Sequence, residues 1–225
     1  MIRAVGLTGG FGTGKTTVLG MFKAEGARVL SSDEIVHREF TENKVLKRKI
    51  VSIFGPRALR SGKVDRKFLA ENVFCDSSAL NQLNRLLHPL VKKRIKQEIR
   101  KWAGFKKNSL VVVEVPLLFE TGFDRIFDVN VVVAAGPAVQ KKRMLKDGRF
   151  SKVDLRLRSR FQMPLAAKTK ACDFVIDNTR DKNNTLKQVK MLVELLGKKP
   201  KEFEGAPALT RQTRSRRMRL WKSSK

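Results

Sequence analysis

The glycine-rich segment that begins at Gly9 constrains the fold more than any other feature of this 225-residue sequence. Residues 9–16 read GGFGTGKT and fit the pattern G-x-x-x-x-G-K-[ST]. Residues 3–8, which read RAVGLT, come directly before it and predict a short buried strand. Residues 16–24 follow it with apolar positions at helical spacing. A strand, a glycine-rich turn and a helix in this order are typical of a phosphate-binding loop in an α/β protein.

Each residue type in this loop has a chemical purpose. Glycines let successive backbone N–H groups turn inward onto phosphate oxygens, and the positive end of the following helix adds to the attraction. We expect Lys15 to reach the β- and γ-phosphates of ATP, and the hydroxyl of Thr16 to ligate Mg²⁺. The residues predicted to bind ATP are Gly9, Gly10, Phe11, Gly12, Thr13, Gly14, Lys15, Thr16 and Thr17.

The remaining pattern alternates between strands and helices. Further strands are predicted at residues 27–30, 110–115, 129–135 and 174–176. Helices are predicted at 33–54, 66–74, 78–103, 137–146, 152–162 and 182–196. Because the strand segments are continuous apolar runs separated by helices, we expect a parallel sheet covered by helices on both faces.

Two acidic residues are expected at the carboxyl edge of this sheet, where ligands bind in open α/β folds. Asp33 follows the second predicted strand, and a carboxylate there can accept a proton from an attacking hydroxyl or hold Mg²⁺. The alternative is structural, with Ser32 or Asp33 capping the following helix. Glu114, in the strand 110–115, is the candidate for a second metal-orienting group, and the alternative is an ordinary acidic residue near a strand end.

Composition narrows the class of protein. Lys and Arg number 49 against 21 Asp and Glu, a net charge of +28. A charge spread over the whole chain either favours polyanionic ligands or reflects a compositional bias of the source proteome. No window is long and apolar enough for a membrane span, and the first residues do not resemble a signal peptide, so we expect a cytoplasmic protein without a membrane partner. Cys75 and Cys172 form no CxxC motif and are expected to be reduced thiols.

Longer motifs make the sequence resemble the dephospho-CoA kinases. These motifs are GLTGGFGTGKTTV at 6–18, SSDEIVHREF at 31–40, GKVDRKFLAENVF at 62–74, LLHPLV at 86–91, VPLLFETGFD at 115–124, QKKR at 140–143 and CDFVIDN at 172–178. They occur in order and at similar spacing between residue 2 and about residue 196. The resemblance implies a P-loop fold with a five-stranded parallel sheet. It also implies phosphorylation of the ribose 3′-hydroxyl of dephospho-CoA by ATP with Mg²⁺, the last step of coenzyme A synthesis.

The resemblance also implies how the chain is divided. A kinase domain spans residues 1–197, with its core at 1–34, 106–144 and 169–197. A helical CoA-binding part is implied at 35–105 and a small helical lid at 145–168. Residues 198–225 have no counterpart in the family. Because they are basic and lack an apolar period, we expect a tail without a stable fold that binds polyanions weakly and non-specifically.

Individual roles follow from the resemblance position by position. It implies that Asp33 is the base or the orienting group for the 3′-hydroxyl, that Lys15 keeps its role on the phosphates, and that Arg143 lies opposite the transferring phosphate. The residues implied to bind dephospho-CoA are His88, Pro89, Pro116, Leu117, Leu118 and Glu120. The sequence departs from the family pattern at Ser31, Glu114 and Asp147, where the family more often has Asp, Asp and Arg.

Two other functions fit part of the sequence. One is a different small-molecule or nucleoside kinase with the same fold, although the PLLFE and HP motifs argue against it. The other is a basic nucleic-acid-binding ATPase, suggested by the net charge. Its aromatic residues do not alternate with basic ones as in a base-stacking surface, so no specific nucleic-acid partner is expected. The sequence makes no prediction of the oligomeric state.

Overall fold

The computed structural model describes residues 3–103, 110–147 and 161–197. In chain order the strands are β1 (Arg3–Gly9), β2 (Arg28–Ser31), β3 (Leu59–Arg60), β4 (Lys63–Val64), β5 (Leu110–Glu114), β6 (Val129–Ala134) and β7 (Phe174–Asp177). The α-helices are α1 (Lys15–Ala24), α2 (Ser32–Glu42), α3 (Lys44–Phe54), α4 (Arg66–Cys75), α5 (Ser77–Ala103), α6 (Pro137–Asp147), α7 (Leu165–Ala171) and α8 (Lys182–Gly197). Short 3₁₀ helices span Pro56–Ala58 and Phe123–Ile126.

Contacts divide the chain into two compact units. The first comprises Met1–Leu30 and Trp102–Lys225, and the second comprises Ser31–Lys101. Most of the predicted lid helix at 152–162, and all of the tail at 198–225, lie outside the described residues. Among the helices that the structure does describe, none combines the length and the apolar character of a membrane span.

The first unit contains the predicted five-stranded parallel sheet, which the structure confirms. Its strand order is β2-β5-β1-β6-β7, so β1 is the central strand. Val5 of β1 lies opposite Val112 of β5 on one side and Val129 of β6 on the other. The central strands are buried on both faces, which explains why their sequences are continuous rather than alternating apolar runs.

One face of this sheet carries the main hydrophobic core. Val5 and Leu7 of β1 pack there with Phe22 of α1 and with Leu192 and Leu196 of α8. Phe22 and Leu192 are fully buried, and each such side chain contributes roughly 1.5–3 kcal/mol of hydrophobic free energy. This packing fixes the position of α1, and therefore of the glycine-rich loop that leads into it.

The second unit is mostly helical, and its local structure differs from the prediction in two places. The single helix predicted at 33–54 is wrong, because Asn43 has an extended backbone and begins a new helix. Its side-chain oxygen accepts a hydrogen bond from the backbone N–H of Leu46 (2.9 Å), which is a typical N-cap. The hairpin β3–β4 was not predicted, since each strand is two residues long and only the turn at Ser61 and Gly62, both with positive φ, marks it.

A buried carboxylate joins two helices of this second unit. Glu39 of α2 is only 3% exposed, and its carboxylate accepts hydrogen bonds from the Arg94 Nε (2.7 Å) and the Asn43 Nδ2 (2.7 Å). Burial alone raises the pKa of a carboxylate, but the hydrogen bonds and the charge of Arg94 lower the pKa of Glu39 below its usual value. Glu39 is therefore ionised, and the positive charge of Arg94 balances its negative charge.

Candidate active site

The glycine-rich loop leaves the sheet at the end of β1 and enters α1 at Lys15. Gly14 is the N-cap of that helix and has φ 86°, a left-handed conformation that strains any residue with a side chain. A Cβ built on Gly14 would also collide with the amide nitrogen of Asn178. Glycine is thus required here for two independent reasons, its backbone conformation and the close approach of Asn178.

The carbonyl of Gly10 forms hydrogen bonds with two other residues of the loop. Its oxygen accepts a hydrogen bond from the Lys15 Nζ at 2.9 Å and another from the Thr13 Oγ1 at 2.9 Å. Thr13 is fully buried, so its hydroxyl has a structural function. The ammonium group of Lys15 therefore lies directly on the loop, where it adds a positive charge to that of the α1 N-terminus.

Asn178, the residue after β7, holds the loop from the opposite end of the sequence. Its Nδ2 donates to the carbonyl of Thr13 (2.8 Å), and its Oδ1 accepts from the hydroxyl of Thr185 in α8 (2.9 Å). Its backbone N–H donates to the carbonyl of Ala134 at the end of β6 (2.7 Å). Because Asn178 and Thr185 are both buried, this network is shielded from water and fixes the side-chain amide in one orientation.

Arg143 of α6 contacts the same part of the loop. One terminal nitrogen, Nη1, donates to the carbonyl of Thr13 (3.3 Å), and the other, Nη2, donates to the carbonyl of Asn178 (2.9 Å). The structure thus places the guanidinium on the loop backbone. Its role opposite the transferring phosphate stays a prediction.

These contacts orient the N–H groups of the loop. In a planar trans peptide the C=O and the following N–H point in opposite directions, and the described residues contain no cis peptide bond. Asn178 and Arg143 hold the Thr13 oxygen on one side, so the N–H of Gly14 points to the other. An inward row of such N–H groups at a helix N-terminus binds anions, and phosphate above all.

The segment that follows β5 has its own polar network. The carbonyl of Pro116 accepts hydrogen bonds from the Thr8 Oγ1 (3.1 Å) and the Lys168 Nζ (2.8 Å). Lys168 also forms an ion pair with the Glu120 Oε1 (2.9 Å), and that oxygen accepts a further bond from the backbone N–H of Met163 (2.7 Å). Burial lowers the pKa of Lys168, an effect that the hydrogen bond and charge of Glu120 partly offset.

Other predicted residues of this segment differ in exposure. Glu114 is buried at the end of β5 and lies opposite Leu7 of β1. Pro116 and Leu117 are half-buried, whereas Leu118 is fully buried in the protein interior. Of these four residues, the half-buried pair is the more accessible to a ligand.

The second unit carries the remaining predicted residues. Asp33 is exposed in the first turn of α2, whose N-cap is Ser31, so the structure does not use Asp33 as the cap. His88 is half-buried in α5, and its burial lowers its pKa and favours the neutral imidazole. Pro89 follows it inside the same helix and has no N–H to donate to the carbonyl of Arg85, which favours a kink.

The donor set suits magnesium in a phosphate site. In the described part of the chain, no group of three or more His, Cys, Asp or Glu side chains could hold a metal by itself. Mg²⁺ prefers oxygen ligands and, with nucleotides, takes few from the protein because phosphates and water supply the rest. The hydroxyl of Thr16 at the start of α1 and the carboxylate of Glu114 are oxygen donors of this kind.

Sequence reasoning missed two of the residues that build the site. Asn178 lies within the CDFVIDN motif but has no predicted role, and Lys168 was not predicted at all. Their partners are far away in sequence: Asn178 binds a residue 165 positions earlier, and Lys168 binds Pro116, 52 positions earlier. The position of Asn178 directly after a strand was a usable signal for a site residue. The sequence around Lys168 gave no such signal, because a lysine in a basic helix is usually exposed to solvent.

Comparisons with known proteins agree with this geometry. Residues 3–184 match the family model described as dephospho-CoA kinase. The chain is 36% identical to the dephospho-CoA kinase of Aquifex aeolicus, over 88% of this chain and all of that protein, and 37% identical to the enzyme of Arabidopsis thaliana, over 86% and 84%. The dephospho-CoA kinase structure from Campylobacter jejuni superposes with a TM-score of 0.66 at 26% identity, covering 88% of this chain and 98% of that one. The chain therefore belongs to the dephospho-CoA kinase family.

Proposed function

We propose that this protein transfers the γ-phosphoryl group of ATP to the ribose 3′-hydroxyl of dephospho-CoA, which yields coenzyme A and ADP. The observation that carries the proposal is the loop at residues 9–17, in a chain that belongs to this family. Its carbonyl at Thr13 is held on one side by Asn178 and Arg143, so that its N–H groups and Lys15 are available to a polyphosphate. We expect the reaction to take place in the cytoplasm.

ATP binding is proposed to depend on the positive potential of the glycine-rich loop. The N–H groups of the loop and the N-terminus of α1 bind the phosphate oxygens, and Lys15 exchanges its bond to the Gly10 carbonyl for the β- and γ-phosphates. Since the loop is already held in place, little reorganisation is needed when charge develops in the transition state. Arg143 is proposed to add its charge near the transferring group.

The acceptor hydroxyl needs a base. Asp33 is proposed to accept the proton of the 3′-hydroxyl as its oxygen attacks the γ-phosphorus and the bond to the leaving ADP breaks. Asp33 is exposed, which is compatible with access to a substrate. The same carboxylate also orients the hydroxyl in line with the breaking bond.

Magnesium is proposed to be held by Thr16 and, directly or through water, by Glu114. When bound, the ion neutralises charge on the β- and γ-phosphate oxygens. The Glu114 side chain is one methylene longer than that of aspartate, so its carboxylate has the reach for direct ligation as well as for contact through a water molecule.

The acceptor side is proposed to include the helical unit at residues 31–101, with His88 and Pro89, and the half-buried pair Pro116 and Leu117. A neutral His88 donates or accepts a single hydrogen bond without repelling cations, which suits recognition of a hydroxyl or amide group. Leu118 is proposed to support this surface from the protein interior, and Glu120 through its contacts with Lys168 and Met163.

A coupled assay tests the proposal directly. The purified protein should consume ATP in the presence of dephospho-CoA and form coenzyme A. Coenzyme A itself is the matched control, because its 3′-position is already phosphorylated and offers no acceptor. Turnover that is indifferent to dephospho-CoA, or that is stimulated by RNA or by another alcohol instead, would reject the proposal.

Lys15→Ala tests the role of the loop in catalysis. Backbone N–H groups alone leave the β/γ charge under-compensated, so kcat should fall by about 10²–10³. Lys23→Ala is the matched control, because Lys23 is an exposed lysine of the same helix. A Lys15 variant with more than half of the wild-type rate would contradict this assignment.

Asp33→Asn tests the base. The substitution keeps size and polarity but removes proton acceptance, so kcat should fall by about 10²–10⁴ while the affinity for ATP changes little. Glu34→Gln is the control, since it neutralises the neighbouring exposed acid in the same helical turn. Equal rates for Asp33→Asn and wild type would show that this carboxylate has no part in the chemical step.

A further inference from the structure

Lys168 is a fully buried lysine with no role in the reaction described above. Lysine is almost never fully buried unless it is paired, because an ammonium group loses its hydration in the protein interior. The position on α7 is therefore a costly one for a positive charge, and its contacts indicate what the charge does.

Both partners of the Lys168 ammonium belong to the segment that follows β5. The Nζ donates to the carbonyl of Pro116 (2.8 Å) and to the Oε1 of Glu120 (2.9 Å). Because β5 ends at Glu114, the carbonyl of Pro116 lies beyond the strand ladder and needs donors from other parts of the chain. Lys168 supplies one, and the hydroxyl of Thr8, just before the glycine-rich loop, supplies another.

The pair is not arranged for maximum stability. Among the residues that the structure describes, the second carboxylate oxygen of Glu120, Oε2, is buried without a hydrogen-bond partner. A buried ion pair stabilises a fold only when its geometry is excellent and its remaining polar atoms are satisfied, and apolar residues of similar volume often do as well. What this pair provides is a fixed distance between α7 and the segment 116–120.

We infer that Lys168 is a positioning residue for the acceptor substrate. It holds the segment 116–120 in the conformation that binds dephospho-CoA, and Glu120 acts through Lys168 and the backbone of Met163 rather than by touching the substrate. The inference rests on the proposed function for the identity of the substrate. It assigns no chemistry to Lys168.

The kinetic test compares Lys168→Met with wild type in the full-length protein. Methionine nearly keeps the volume of the side chain but lacks its terminal ammonium group, so the KM for dephospho-CoA should rise about tenfold while the KM for ATP stays within twofold. Lys170→Met is the control, because Lys170 is exposed on the same helix and its substitution should leave both constants unchanged. If Lys168→Met is folded and its KM for dephospho-CoA is within twofold of wild type, the inference is wrong.

Two further variants separate positioning from stability and guard against a failure to fold. Glu120→Gln keeps the shape of the side chain and weakens the ion pair, and it should change the same constant in the same direction. The double variant Lys168→Met/Glu120→Gln no longer buries an unpaired charge, so its melting temperature should recover while its KM for dephospho-CoA stays high. Recovery of both quantities in the double variant would indicate a purely structural pair and overturn the inference.

Amide hydrogen exchange provides a readout that does not depend on activity. Lys168→Met should exchange faster than wild type in the peptide that contains residues 117–121, and the Lys170→Met control should not. Unchanged exchange there would overturn the inference even if the wild type phosphorylates dephospho-CoA. A different result is faster exchange in Lys168→Met combined with a wild-type protein that does not phosphorylate dephospho-CoA. That result would show that the proposed function is wrong, although Lys168 does hold the segment 116–120 in place.

Discussion

The site depends on hydrogen bonds that two side chains, distant in sequence, donate to one carbonyl group. The oxygen of Thr13 accepts hydrogen bonds from the Asn178 Nδ2 (2.8 Å) and the Arg143 Nη1 (3.3 Å). Because a peptide is rigid and planar, fixing this oxygen also fixes the direction of the Gly14 N–H at the start of α1. The loop is thereby prepared to bind an anion before any anion arrives, and preorganisation of this kind is what makes electrostatic catalysis effective.

The order of the strands explains how these groups meet. β1 ends at the loop, β6 lies next to it and β7 comes next, and in a parallel sheet all three have their carboxyl ends at the same edge. Asn178 follows β7 and is bonded to the end of β6 and to α8, so it reaches the loop from a fixed base. The apolar contacts of α1 and α8 on one face of the sheet position the two helices that flank this network. The orientation of the phosphate-binding groups therefore depends on the packing of the hydrophobic core.

The parts of the fold that depend on local residue patterns could be predicted from the sequence. The glycine-rich loop and the parallel sheet follow from residue spacing and from continuous apolar strands, and both are present. The division of one predicted helix at Asn43 was missed because helical spacing continues on both sides, although the asparagine itself is a good N-cap. The role of Lys168 could not be predicted, and that of Asn178 was signalled only by its position after a strand, since each depends on partners that the sheet topology brings close.

The most direct test of this account is the affinity for MgATP of Gly14→Ala, measured by isothermal titration calorimetry beside Gly20→Ala. A Cβ at Gly14 meets the Asn178 amide and needs a left-handed backbone, whereas a Cβ at Gly20, on the exposed side of α1, meets nothing within 4 Å. Gly14→Ala should weaken binding by at least about tenfold, the value of one hydrogen bond to a charged group, while Gly20→Ala should bind like wild type. If folded Gly14→Ala binds MgATP as tightly as wild type, the geometry of the loop does not control the site and the account is wrong.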